Sequence, residues 1–95
     1  MKTISTILND NNPISEEFSF SGNCHICAVG SGSIEIQRKL GGEFVTLTDL
    51  LGDQMAFTGT DVLFNSTITS TLRIPHRIVS ASVDDIDLTI IAEKA

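Results

Sequence analysis

Apolar and polar residues alternate along most of this chain. Phe18 and Phe20 alternate with Ser19 and Ser21, Ile34 and Ile36 with Glu35 and Gln37, and Val45 and Leu47 with Thr46 and Thr48. Met55 and Phe57 flank Ala56. Ile68, Ser70, Leu72 and Ile74 alternate with Thr67, Thr69, Thr71 and Arg73. Val79, Ala81 and Val83 alternate with Ser80 and Ser82, and Ile86, Leu88 and Ile90 with Asp87 and Thr89. A period of two puts one set of side chains on each face of a pleated strand, so these runs predict half-buried strands. Ile, Val and Thr, which suit a pleated surface, dominate them. No segment carries a 3.6-residue apolar stripe of helical length. "VTLTDLLGDQM" has room for one helical turn at Leu50 and Leu51.

Turn-forming residues separate the runs. Gly30 and Gly32 mark one turn, and Gly41-Gly42 lies between two alternating runs, where it predicts a hairpin. "LLGD", "TGTD" and Asp84-Asp85 end further runs. Pro75 falls beside alternating residues and is expected at a strand end, a bulge or an edge. The pattern predicts an all-β fold: a single small antiparallel β-sandwich, jelly-roll or Ig-like, of about seven to eight strands. The expected core is Ile34, Ile36, Leu47, Phe57, Leu72, Val79, Leu88 and Ile90. Residues 15–95 would form the sandwich. Residues 1–14, cut off by "NDNNP", would be an N-terminal arm or an edge strand. Their apolar Ile4, Ile7 and Leu8 are candidate contacts with a neighbouring molecule.

Composition narrows the function classes. The 95 residues suit one domain, and 41% hydrophobic content is globular. Trp and Tyr are absent, which removes the usual platforms for stacking sugars and bases. A carbohydrate- or ligand-binding sandwich module is therefore the second reading. The formal net charge is −6, and the six basic residues are scattered along the sequence. Phosphate binding needs clustered Lys and Arg, so neither nucleic acid nor an acidic membrane is expected as a partner. No apolar run reaches the ~20 residues of a membrane span, and the N-terminus lacks the apolar core of a signal peptide. Synthesis in a cytoplasm is expected.

Two cysteines three apart, in "NCHICAVGSG", raise the question of chemistry. A redox pair is activated at a helix N-terminus, and here a glycine turn follows instead. In an extended strand Cys24 and Cys27 stand about 10 Å apart on opposite faces, beyond the reach of a disulfide. Zinc wants four ligands, and only His25 and the distant His76 could join the two thiols. Structural thiols in a strand are expected. Asp84, Asp85 and Asp87 lie close together, but the spacing of a calcium loop is missing, and Asp in turns usually caps its own backbone. No G-x-S-x-G elbow and no phosphate loop occur. No enzymatic activity, catalytic residue, metal or cofactor is expected.

One resemblance goes further. "GSGSIEIQRKLGGEFVTLTDLLGDQMAFTGTDV" followed by "STLRIPHRIVSASVDDIDLTI" resembles small β-sandwich structural proteins of tailed bacteriophages. The matching residues are Gly32, Ile34, Ile36, Gln37, Arg38, Gly41, Leu47, Asp49, Gly52, Phe57, Arg77 and Ile90, with Phe44 as the aromatic after the hairpin glycines. His76 stands where the pattern has Tyr before the late Arg. The resemblance implies a virion component: a capsid decoration or cement protein, or a small tail or fibre adaptor. It would act by repeated contacts with itself, three copies favoured, and with the major capsid protein or other virion proteins.

Overall fold

In a computed structural model, which describes residues 1–93, the chain is all-β. Seven strands follow in order: β1 (Lys2–Leu8), β2 (Phe18–Gly30), β3 (Gly32–Leu40), β4 (Glu43–Thr46), β5 (Ala56–Gly59), β6 (Val62–Ser80) and β7 (Ile86–Ala92). All pairings are antiparallel, and the sheet order is β1-β7-β2-β6-β3-β4, with β5 beside β4 on the same edge of β3. The all-β, seven-strand, antiparallel architecture is the expected one. Jelly-roll and Ig-like sandwiches stack two separate sheets. Here hydrogen bonds join all seven strands into one.

That single sheet must fold over on itself. Among the described residues there is no helix and no second sheet, yet the side chains of one face are almost wholly sealed from solvent. They include Ile4 and Leu8 of β1, Phe18, Phe20, Cys24, Ile26 and Ala28 of β2, Ile34 and Ile36 of β3, Ile68 and Ile78 of β6, and Ile86, Leu88 and Ile90 of β7. The fold line crosses the long β2 and β6 strands. Phe20 pairs with Ile74 and Gly22 with Ser70, so Thr71, Leu72 and Arg73 stand opposite Ser21 alone. Such a bulge bends a strand sharply and lets it pass from one layer to the next. One layer is then β1-β7 with the later part of β2 and the earlier part of β6. The other is the start of β2, the end of β6, and β3 with its two short partners. Residues 13–15 lie along the end of β6, where the Ser15 N–H donates to the Ile78 carbonyl at 2.9 Å. Phe57 of β5 meets Phe64 of β6 across the core, with ring centroids 4.8 Å apart.

The hairpin at Gly41-Gly42 forms as expected. Leu40 pairs with Glu43 across a two-residue loop whose glycines take φ of +60° and +86°, a left-handed turn that matches the twist of the strands. Pro75 sits within β6, just past the bulge and one residue beyond the β3 register, which needs no N–H from it on that side. No helical turn forms at Leu50 and Leu51. The Asp49 carboxylate instead accepts from the N–H groups of Leu51 and Asp53, at 2.9 and 3.0 Å, and closes a tight loop.

Three expected core residues lie elsewhere. Leu72 is 67% exposed because the bulge loops it out of the sheet. Val79 is half-buried on the outer face, and Phe57 is half-buried at the edge of the core. The inward residues of late β6 are His76, Ile78 and Ser80. Ile34, Ile36, Leu47, Leu88 and Ile90 are buried as expected.

Candidate interaction surface

The N-terminal segment is an edge strand of the main sheet. β1 pairs with β7 in unbroken register from Lys2↔Ala92 to Leu8↔Ile86. Ile4 and Leu8 point into the protein's own core, which accounts for their apolar character within the chain. Ile7 faces out and is 47% exposed. A turn at residues 9–12, closed by reciprocal backbone bonds between Asn9 and Asn12 at 3.2 Å, sends the chain back past β1.

The other edge of β1 has no strand beside it. Its hydrogen-bonding groups can be located from two contacts. Asn12 Nδ2 donates to the Ile7 carbonyl at 2.8 Å from outside the β1–β7 pair. On β7's other side, the Glu93 N–H donates to the Asn23 carbonyl at 3.0 Å, so odd residues of that strand bond towards β2 and even ones towards β1. Backbone groups alternate sides along a strand, so Thr3, Ser5 and Ile7 present their N–H and C=O groups to the open edge. A groove of about 440 Å³ runs beside this edge, walled by Thr3, Ser5 and Thr6 and by Asn12, Ile14 and Glu16. Ile14 is 44% exposed. Asn12, Ile14 and Glu16 were missed from the sequence. The turn-forming "NDNN" was the available signal that the chain doubles back there.

The sequence motifs fall into structural roles. Cys24 is buried and Cys27 half-buried, both free, on opposite faces of β2. Burial pushes the Cys24 thiol up to about 11. His25 faces out, with Nδ1 3.2 Å from Thr67 Oγ1 and Nε2 2.8 Å from Asn65 Oδ1 on the neighbouring strand. Asp85 accepts a bond from Asn9 Nδ2 at 2.9 Å. Among the described residues no three His, Cys, Asp or Glu side chains converge as a metal site would need.

Gln37, Arg38, His76 and Arg77 come together on β3 and β6. Gln37 pairs with Arg77 and Arg38 with His76. Arg77 Nε donates to Gln37 Oε1 at 2.7 Å, and its guanidinium lies 4.0 Å from the Phe44 ring centre. His76, fully buried, packs on Phe18 and Phe20 at ring distances of 5.8 and 4.8 Å. Arg38 Nε donates to His76 Nε2 at 3.2 Å, so the ring proton sits on Nδ1 and goes to the Ile74 carbonyl at 2.7 Å. Burial, with the Arg38 charge adding to it, holds the His76 pKa below its ordinary value. The imidazole, sealed in the core, ties β3 to the fold line of β6, and half-buried Arg38 lines a shallow cleft of about 290 Å³ beside the bulge, with Thr69, Leu72 and Ile74.

The chain matches no known protein family, no curated protein and no solved structure.

Proposed function

We propose that this protein is a structural component of a tailed-bacteriophage particle, most simply a capsid decoration or cement protein. It is made in the host cytoplasm, works without catalysis or cofactor, and acts through repeated contacts with copies of itself and with other virion proteins. The observation that carries the reading is the open β1 edge, with exposed Ile7 and Ile14 beside it. Proteins that stay alone in solution blunt long edges with charges, prolines or bulges. Lys2 stands at the start of β1 and Asn12 caps the Ile7 carbonyl near its end, but from Thr3 to Thr6 there is none of these. Exposed Leu50, Leu51, Leu72 and Val83 add apolar surface on the loops and the bulge. The resemblance of residues 30–62 and 70–90 to phage sandwich proteins supplies the kind of assembly. The test is to express a tagged copy in a host producing the particle and band the particles on a density gradient. Co-banding in many copies per particle supports the reading; a protein left wholly in the soluble fraction overturns it.

A further inference from the structure

We infer that the open edge of β1 pairs with the β1 edge of a second copy about a two-fold axis, in antiparallel register centred on Ser5. The inference rests on reading this edge as a contact surface, and not on the particle to which the protein belongs.

The backbone sets the geometry. Thr3, Ser5 and Ile7 are the residues whose N–H and C=O groups face outward, as the Asn12–Ile7 and Glu93–Asn23 contacts show. An antiparallel pair is hydrogen-bonded only where such residues stand opposite one another. Centring on Ser5 meets this condition at every step: Ser5 faces the second copy's Ser5, and Thr3 faces its Ile7 in both directions. Ile7, 47% exposed in one copy, is then covered on the outer face by a β-branched Thr. The Ile7 carbonyl accepts from Asn12 and keeps a second lone pair for the new bond.

Strand regularity selects this partner over the other edge available, and charge suits it. The first half of β6 also has an open side, since β3 pairs only with the stretch from His76 to Ser80. Pairing β1 antiparallel to that edge of a neighbour would propagate head to tail, as a ring of three requires. That stretch of β6 is bulged at both ends, at Leu63 and at Thr71–Arg73, which turns an edge away from pairing, whereas β1 is regular from Lys2 to Leu8. In the two-fold pairing Lys2 lies beside the second copy's 9–12 turn, which carries Asp10. Opposite charges therefore meet at both ends of the contact. A seven-residue edge contact is small for a specific interface, so association is expected at about micromolar concentration or above.

Sedimentation equilibrium of the full chain over a concentration series tests the inference, with Ser5→Pro as the variant. Proline removes an N–H that faces the open edge, leaving the β7 bonds intact, so far-UV circular dichroism and the melting temperature should stay close to the parent's. The parent is expected to dimerise, and Ser5→Pro to weaken dimerisation by about tenfold or more. Should that variant unfold, Ser5→Cys in a Cys27→Ser background reads the register directly: residues facing each other across a two-fold axis cross-link under mild oxidation. A disulfide-linked dimer through position 5 supports the inference. A monomer at all concentrations, a trimer, a dimer indifferent to Ser5→Pro, or no cross-link at position 5 overturns it. A dimer that never enters particles would leave this contact standing and remove the proposed function instead.

Discussion

His76 offers the sharpest test of how this fold is held. Its ring is fully buried against Phe18 and Phe20, takes a hydrogen bond from Arg38 and gives one to Ile74. The folded protein resists protonation at Nε2 chiefly because the charged ring would be buried, and also because it would lie beside the Arg38 charge, whose Nε it now accepts from. The folded pKa is lowered from the ordinary 6.5, so above that pH both folded and unfolded chains are neutral at this site and it costs nothing. Below it the unfolded chain takes up a proton that the folded chain refuses, and stability falls as the pH drops towards the folded pKa. The slope from one such group reaches at most about 1.4 kcal/mol per pH unit. His76→Gln keeps hydrogen-bonding groups but cannot titrate. The assay is urea unfolding followed by far-UV circular dichroism, since the chain has no Trp or Tyr to follow by fluorescence. It is run from about pH 8 to about pH 5, with the stability of the variant subtracted from the parent's at each pH. His25 and the carboxylates are common to both and cancel. The variant is expected to be less stable at high pH, with the gap narrowing as the pH falls below about 6.5. A gap that stays constant would refute the reasoning, because His76 would then not be a neutral group sealed in the fold.

Other outcomes follow from the packing. Phe20→Ala, which empties a fully buried site at the fold line, should cost about 3–5 kcal/mol in urea unfolding, and Leu72→Ser on the bulge less than about 0.5 kcal/mol. Gly32→Ala should be much more damaging than Gly41→Ala. A Cβ at Gly32 would fall 1.7 Å from Ser82 Oγ, which holds the Ser33 N–H, whereas at Gly41 it meets nothing within 4 Å, leaving only left-handed strain of about 1–2 kcal/mol; thermal melts compare the two. A thiol reagent at neutral pH should modify Cys27 in the folded chain well before Cys24, whose thiol is buried and pushed up to about 11; equal rates would show that β2 opens readily.

Alternation alone determined the fold class. Ile34 and Ile36, or Leu88 and Ile90, have polar residues between them, and only one face of a strand can be buried there. Gly41-Gly42 likewise determined its hairpin, because two consecutive left-handed residues are what a two-residue turn requires. The cysteine spacing was legible for the same reason: three residues along an extended chain reverse the face. Late β6 was not legible. The set Val79, Ala81, Val83 is more apolar than the set His76, Ile78, Ser80, Ser82, yet the second faces inward. Its polar atoms find partners that only the folded chain brings near: Arg38 for His76, the Ser33 N–H for Ser82 Oγ at 2.7 Å, and the Ser82 N–H for Ser80 Oγ at 3.0 Å. Leu72 left the core because a bulge turned the strand there, and a bulge answers to the pairing partner rather than to its own residues. The N-terminal segment followed the same logic. Local sequence showed that Ile4, Ile7 and Leu8 were apolar, but which of them the core would claim depended on the register with β7, a strand about eighty residues away. Local pattern fixes which residues share a face; long-range pairing decides what that face meets.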